Sequence, residues 1–124
     1  MIDQAWAVDF AEKWIAAFNS HDLDRIFELY DDRFEMRSPY IISRMGLESG
    51  RLVGKEQVRP YWSKSVGPES TLRFELIDVF VGVDSVVVYY KSAGAKYVCE
   101  TFQFNPDGKV ISGCSQHGRS IESE

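Results

Sequence analysis

The fold is decided by residues 96–117, which read KYVCETFQFNPDGKVISGCSQH. Two runs rich in β-branched and aromatic side chains flank an Asn-Pro-Asp-Gly tetrapeptide at 105–108, and this arrangement predicts a β-hairpin. The proline fixes its φ angle, the aspartate can bond its own backbone, and Gly108 can take a positive φ.

Side chains on a strand alternate between its two faces, and this rule divides the first arm of the hairpin. One face carries Glu100 among apolar side chains, namely Val98, Phe102 and Phe104. The other face carries Tyr97, Cys99, Thr101 and Gln103. A carboxyl group on an apolar face is paired, solvated or kept protonated, which makes Glu100 a candidate functional residue.

The two cysteines, Cys99 and Cys114, lie on opposite arms of the hairpin and form no CxxC motif. A turn centred on Pro106 and Asp107 pairs them directly across the two strands. Paired cysteines can touch, but in a reducing cytosol we expect two free thiols that act as small apolar side chains.

The composition is that of a globular protein of 124 residues, with 44% hydrophobic, 14% aromatic and 27% charged residues. This length predicts one domain over 1–124 with a sizeable core. Fourteen Lys and Arg against nineteen Asp and Glu give a formal net charge of −5. An acidic balance disfavours a nucleic-acid partner, because such binding depends on clustered positive charge.

No apolar run approaches the roughly 18 residues that span a bilayer, so no membrane partner is expected. The first residues carry Asp3 and no basic region, which disfavours a secretory signal peptide. We therefore expect a cytoplasmic location.

Upstream of the hairpin, the sequence predicts three helices. The first begins behind Asp3 as N-cap and has an apolar side chain at every fourth position: Trp6, Phe10, Trp14 and Phe18. The second follows Asp22 and carries a shorter apolar stripe: Leu23, Ile26, Phe27 and Tyr30. Residues 55–65 form the third, in which Pro60 either falls in the first turn of a helix starting near Gln57 or kinks the helix.

The remaining segments predict strands and loops. A short strand is expected over 33–37, and residues 40–54, with three glycines, predict a long loop of the kind that is usually functional or mobile. Further strands are predicted over 71–81 and 85–92, with a turn at 93–95 before the hairpin and a frayed tail at 120–124. Helices followed by a meander of strands indicate an α+β fold, with the helices on one face of a curved antiparallel sheet.

Four short motifs in this order resemble the nuclear-transport-factor-2-like superfamily, and within it the SnoaL-like and ketosteroid-isomerase-like small-molecule proteins. They are WIAAFNSHDL at 14–23, LYDDRF at 29–34, GKEQVR at 54–59 and FQFNPDGKV at 102–110. The resemblance implies a cone, in which a curved, mixed but mainly antiparallel sheet is wrapped by three N-terminal helices around one apolar cavity. It also implies a homodimer, but the superfamily spans enzymes and non-catalytic binders, so the fold does not decide the reaction.

The resemblance also suggests roles for individual residues. Glu100 matches a carboxylic acid that, in the isomerases, stays neutral in an apolar site and donates a hydrogen bond to a developing oxyanion. Their second donor, a tyrosine on the first helix, aligns with Trp14, and their base, an aspartate before a proline, aligns with Ser38. A serine alone cannot take a proton from carbon at neutral pH, so steroid isomerase activity is not expected. The alternative for Glu100 is a salt bridge to Arg37, Arg59 or Lys91.

His117 ends the last strand, on the face that also carries Ile111, Gly113 and Ser115. Histidine changes charge near neutral pH, so Glu100 and His117 are candidates for a catalytic acid/base pair, with a solvated strand-end histidine as the alternative. His21 is expected in a surface turn, and two widely separated histidines do not support a zinc site. No metal and no cofactor are expected.

The residues expected to line the cavity are mostly aromatic and come from the whole chain: Trp14, Phe18, Tyr30, Ser38, Tyr40, Tyr61, Trp62, Val98, Phe102 and Ser115. An apolar pocket with a few polar groups is the usual form of a small-molecule site, although aromatic residues at this spacing also form plain core. Three arginines near the long loop, Arg37, Arg44 and Arg51, either recognise an anion or are solvated. No nucleotide-binding or Ser-His-Asp pattern occurs.

Two functions follow from these residues. The first is an enzyme that performs cofactor-free acid/base isomerisation, dehydration or cyclisation on a small apolar, carbonyl-bearing metabolite. The second is a non-catalytic binder or dimeric interaction module, favoured by Ser38 in place of a general base. In either case a homodimer is expected to cover the outer face of the sheet, which carries Tyr97, Cys99, Thr101, Gln103 and Val110.

Overall fold

The computed structural model describes residues 1–93 and 96–119, which form four helices and six strands. The helices are α1 (Gln4–Asn19), α2 (Leu23–Phe27), α3 (Pro39–Met45) and α4 (Gly54–Ser63). The strands are β1 (Tyr30–Arg37), β2 (Arg51–Val53), β3 (Glu75–Val81), β4 (Val86–Ser92), β5 (Lys96–Phe104) and β6 (Val110–His117). The turn predicted at 93–95 lies largely outside the described residues, and the tail predicted at 120–124 lies wholly outside them.

The strands form one sheet in the order β2–β1–β6–β5–β4–β3. All neighbours run antiparallel except β1 and β6, which are parallel, so the sheet is mixed but mainly antiparallel. The helices cover its inner face, where α1 packs against β3 and α4 against β1. The predicted α+β fold, a curved sheet wrapped by N-terminal helices, is therefore confirmed.

Helix α1 places its apolar stripe against the sheet. Asp3 caps the helix, since its Oδ2 accepts a hydrogen bond of 2.9 Å from the backbone N–H of Trp6. The buried side chains of the helix are Ala7, Phe10, Ala11, Trp14, Ala17 and Phe18. The ring of Phe10 lies 5.1 Å from that of Phe102 on β5, so the packing of helix on sheet is largely aromatic.

The loop predicted over 40–54 instead contains α3 and β2. Ser38 caps α3 by accepting a hydrogen bond of 3.2 Å from the backbone N–H of Tyr40, and Pro39 occupies the first turn. Gly46 ends the helix in the left-handed conformation, with φ of 68°. Cap, proline and terminal glycine are a complete set of helix signals, but the segment between them is only seven residues long. At that length the apolar periodicity was too short to identify a helix.

Other element boundaries also differ from the prediction. Helix α2 ends at Phe27, and Tyr30 begins β1 because it pairs with Val110 of β6. Strand β3 begins at Glu75, so residues 71–74 lie outside the sheet. Helix α4 begins at Gly54 and holds Pro60 in its interior.

The hairpin at 96–117 has a longer turn than predicted. The backbone N–H of Asn105 donates to Lys109 O at 2.8 Å, and Gly108 adopts φ of 79°. A bulge at Ile111 then shifts the register, since Phe104 pairs with Val110 but Gln103 pairs with Ser112.

The longer turn and the bulge together correct three predictions about the hairpin. Cys114 pairs with Thr101 rather than Cys99, and both cysteines are free thiols. Val110 is fully buried in the core, and Ile111 is the exposed residue, at 41% of its surface. Val110 therefore does not belong to the outer face of the sheet, and Ile111 does not share the face of His117.

None of the helices in the described part of the chain is long and apolar enough to cross a membrane.

Candidate functional site

A cavity of about 920 Å³ lies between the inner face of the sheet and the helices. Its walls are largely aromatic and include Trp14, Phe18, Tyr30, Phe34, Tyr61, Trp62, Phe74 and Tyr90. We call its buried end the floor, which consists of Trp14, Tyr30, Tyr90, Glu100 and Ser115. We call the exposed charged part of its lining the mouth, which consists of Arg44, Lys64, Glu69, Arg73, Lys96 and His117.

Glu100 occupies the middle of β5, and only 7% of its surface is exposed. The hydroxyl of Tyr90 on β4 donates a hydrogen bond of 3.2 Å to Oε1 of Glu100. Ser115, its partner on β6, donates to the same oxygen at 2.5 Å. Glu100 is therefore held by two hydroxyl groups from the strands on either side.

No ion pair joins Glu100 to a basic residue among the described residues. Two of the cations considered as partners are paired elsewhere, Arg37 with Glu35 and Arg59 with Asp24. The salt-bridge alternative for Glu100 is therefore not what the structure contains.

Burial raises the pKa of Glu100 from an ordinary value of 4.5 to about 7, although the hydrogen bonds from Ser115 and Tyr90 act in the opposite direction. The neutral and ionised forms are thus both populated near neutral pH. Both hydroxyl groups donate to Oε1, and no described residue donates to Oε2. The proton of the neutral acid therefore belongs on Oε2.

Tyr30 and Trp14 form a second hydrogen-bonded pair in the floor. The indole Nε1–H of Trp14 donates to the hydroxyl oxygen of Tyr30 at 2.9 Å. Burial raises the pKa of Tyr30, so its hydroxyl keeps its proton. Because that oxygen already accepts from Trp14, the hydroxyl hydrogen is available for another acceptor in the cavity.

This pair changes the role expected for Trp14. The indole stands at the helix position where the resemblance placed an oxyanion donor, but its N–H is directed to Tyr30. The hydroxyl of Tyr30 is the donor that remains for a ligand. Sequence reasoning placed Tyr30 only as an apolar wall residue, because the Trp14 contact spans α1 and β1 and follows no local pattern.

Ser38 lies in the cavity wall and is buried. Its hydroxyl oxygen accepts from the backbone N–H of Tyr40. Burial raises the pKa of Tyr61, and the neighbouring Ser38 hydroxyl partly opposes this rise. The serine thus has structural partners on both sides.

His117 lies at the mouth, where its ring centroid is 4.4 Å from that of Tyr40. Burial of part of the ring lowers the pKa of His117, and the charges of Lys96 and Arg44 lower it further. The imidazole is therefore neutral at pH 7. No hydrogen bond joins it to Glu100 within the described chain, and Ser115, the partner of Glu100, lies two residues earlier on β6.

With one exception, all residues predicted for the site line this cavity. The exception is Phe102, which is fully buried beneath α1, with its ring 5.4 Å from that of Trp14. Gly113, its partner on β6, lines the cavity instead. Alternation placed Phe102 on the correct face, but it could not show that α1 covers that part of the strand.

The structure adds residues that the sequence prediction missed. Tyr90 could have been found, because it shares a face of β4 with the buried Val86 and Val88. The four basic residues of the mouth come from segments far apart in sequence, and only the fold brings them to one cavity. His21 is separate from the site, with its Nε2 2.7 Å from Leu72 O.

The described residues contain no group of three or more His, Cys, Asp or Glu side chains that could hold a metal ion.

A six-stranded mixed sheet, wrapped by helices around an aromatic cavity with a buried acid, defines a protein of the nuclear-transport-factor-2-like fold. The model of the SnoaL-like domain family matches residues 11–116. A SnoaL-like protein of unknown function from Burkholderia thailandensis is 43% identical, with a TM-score of 0.91 over 95% of this chain and 98% of that chain. The chain belongs to the SnoaL-like domain family.

More distant solved structures share the fold alone. SalBIII, an epoxide hydrolase/cyclase-like enzyme in pyran ring formation, is 18% identical, with a TM-score of 0.70 over 95% of each chain. TerC, co-crystallised with polyporic acid, is 16% identical, with a TM-score of 0.71 over 90% of this chain and 91% of that chain. No curated protein matches the sequence.

Proposed function

We propose that the protein binds a small apolar, carbonyl-bearing metabolite in its cavity and catalyses cofactor-free acid/base chemistry on it. Isomerisation, dehydration and cyclisation are the reactions that fit. The observation that carries this proposal is the carboxyl group of Glu100, buried in an aromatic cavity and with a pKa raised to about 7. A group with such a pKa can both give and accept a proton at neutral pH.

Glu100 acts first as the acid. Its Oε2–H donates a hydrogen bond to the carbonyl oxygen of the ligand, while Oε1 remains fixed by Tyr90 and Ser115. The hydroxyl of Tyr30 supplies a second hydrogen bond to the same oxygen. Two donors in a site of low dielectric stabilise the negative charge that develops on this oxygen.

His117 acts as the base in this proposal. Its lowered pKa leaves the imidazole neutral and able to accept a proton at pH 7. Two residues of strand separate it from Ser115, which corresponds to about 7 Å. The acid and the base therefore act on different atoms of a ligand that extends from the floor toward the mouth.

Two distant structures support ligand chemistry of this kind. SalBIII is described as taking part in pyran ring formation, and TerC was crystallised with polyporic acid. Both are consistent with small-molecule chemistry on this fold, and the first favours a cyclisation.

The second candidate function is a non-catalytic binder. The observation that favours it is Ser38, which stands where the resemblance places a general base and whose hydroxyl oxygen accepts from the backbone N–H of Tyr40. In that case Glu100 and Tyr30 would bind a ligand oxygen without a proton leaving carbon.

Exchange of ketone α-protons in D₂O distinguishes the two functions. We expect the wild-type protein to accelerate the exchange of one or more of cyclohexanone, 2-decalone and 2-tetralone, followed by NMR. Glu100→Gln should lower the protein-dependent rate about 100-fold, because it removes the acidic proton. Glu48→Gln, at an exposed acid outside the cavity, is the matched control and should leave the rate unchanged. Binding of these ketones without accelerated exchange would support the binder instead.

We further propose a cytoplasmic homodimer that covers the outer face of the sheet. Phe80 and Ile77 on β3 are 53% and 45% exposed, and Tyr97, Cys99 and Thr101 of β5 are only half-buried. Sedimentation equilibrium should give twice the monomer mass at micromolar concentration, and Phe80→Glu should lower it. A wild-type monomer under these conditions would exclude the dimer.

A further inference from the structure

The mouth of the cavity carries positive charge on an otherwise acidic chain. Its lining includes Arg44, Lys64, Arg73 and Lys96. Apart from Glu100 in the floor, Glu69 is the only acid of the lining among the described residues, although the whole chain has a formal net charge of −5. Basic side chains are thus concentrated where a ligand would enter.

These basic side chains are also free of acidic partners within the described part of the chain. The ion pairs found there involve Lys13, Arg37, Arg51, Lys55 and Arg59, all outside the cavity lining. The cations of the mouth are therefore available to a negatively charged group of a ligand.

One part of the mouth is ordered by aromatic stacking. The guanidinium carbon of Arg44 lies 4.2 Å from the ring centroid of Tyr40, and the ring of Tyr40 lies 4.4 Å from that of His117. A guanidinium held over an aromatic ring loses less freedom when it binds a carboxylate through its planar fork.

Lys96 belongs to the same cluster. It begins β5, next to the Val98–His117 pair of the β5–β6 ladder. The charges of Lys96 and Arg44 both lower the pKa of His117, so the two cations act on the same point in space. An anion placed there would face a guanidinium, an ammonium and an imidazole.

We propose that Arg44 and Lys96, beside His117, form a subsite for a carboxylate, so that the natural ligand is an apolar keto acid. This inference rests on the proposed function and names its substrate class. The carbonyl binds at Glu100 in the floor, the hydrophobic body contacts the aromatic walls, and the carboxylate remains at the mouth. The levels of Ser115 and His117 on β6 differ by about 7 Å, which corresponds to a carboxylate several carbons away from the carbonyl.

Calorimetric titration with a matched pair of probes tests the subsite. The probes are 4-(2-naphthyl)-4-oxobutanoic acid and its methyl ester, which share the aryl ketone and differ in the charge. We expect the acid to bind at least tenfold more tightly than the ester at pH 7 and low salt. Arg44→Gln and Lys96→Gln should each weaken binding of the acid about fivefold and leave the ester unchanged.

Arg33→Gln provides the matched control, because Arg33 is an exposed arginine that does not line the cavity. It should change neither affinity, whereas an equal loss in all three variants would show a non-specific effect of net charge and overturn the subsite. Equal affinities of acid and ester would also overturn it, while leaving the proposed function intact. If neither probe binds, the proposed function fails and the subsite fails with it.

Discussion

The floor and the mouth of the cavity both favour the uncharged form of a titratable group, but for different reasons. In the floor, burial alone raises the pKa of Glu100, and the two hydroxyl donors partly oppose it. At the mouth, partial burial and two neighbouring cations all lower the pKa of His117. The difference shows that the acid depends on exclusion of water alone, whereas the base depends on exclusion of water together with charges that a ligand can neutralise.

The largest effect should come from the packing beneath the floor. Phe102→Ala removes a fully buried ring that contacts α1, and we expect a loss of about 3–5 kcal/mol in the free energy of unfolding. His117→Ala, at the exposed mouth, should cost less than about 0.5 kcal/mol. Urea denaturation of both variants measures the contrast, and similar losses would mean that the mouth is as tightly packed as the floor.

A smaller effect is expected from titration of Glu100. Its pKa rises from 4.5 to about 7 on folding, so between these values the folded protein binds more protons than the unfolded chain. The contribution of Glu100 to the free energy of unfolding is therefore fully present below about pH 4.5 and is lost as the pH rises through about 7. The total change is about 3 kcal/mol, by the conversion of pKa shifts into free energy.

Glu100→Gln isolates this contribution. The difference in unfolding free energy between the wild type and this variant, measured by urea denaturation from pH 4.5 to 8, should change by that amount. A difference independent of pH would mean that Glu100 is solvated in the folded protein.

The smallest effect concerns the charge at the mouth. Lys96→Gln removes a cation that lowers the pKa of His117, so this pKa should rise toward 6.5. NMR titration of the imidazole protons measures the change, with His21→Gln to assign the two histidines. Arg33→Gln should leave the pKa of His117 unchanged. An equal rise in both variants would show that Lys96 has no local effect on His117.

Much of the fold could be predicted because local rules and long-range packing agree. The four-residue spacing of Phe10, Trp14 and Phe18 predicts α1, and strand alternation places Glu100 on the more apolar face of its strand, although it does not show whether that face borders a cavity. The errors in the hairpin arose where a single residue changed the pattern. The bulge at Ile111 leaves this side chain exposed and turns Val110 into the core, the reverse of the prediction. No local signal in the sequence distinguishes a bulge from a regular strand.

The candidate site was less accessible to sequence reasoning, for a similar reason. Alternation shows on which face of a strand a residue lies, but it does not show which part of that face borders the cavity. Phe102 was therefore assigned to the cavity although α1 covers it. The Trp14–Tyr30 hydrogen bond and the Arg44–Lys96–His117 cluster join residues from separate elements. The strand order places Lys96 of β5 beside His117 of β6, whereas Trp14 and Arg44 reach their partners because α1 and α3 pack on the sheet.

Gly113 limits one dimension of the cavity at a place where a Cβ atom fits. A Cβ atom there would meet the ring of Phe102 at 3.7 Å, an ordinary van der Waals distance, so the site has room for the methyl group of alanine. Because Gly113 lines the cavity, a methyl group at this position reduces the space left for a ligand. A relative with a larger residue at this position would accept shorter ligands for the same reaction. Position 113 is therefore where engineering of ligand selectivity would begin.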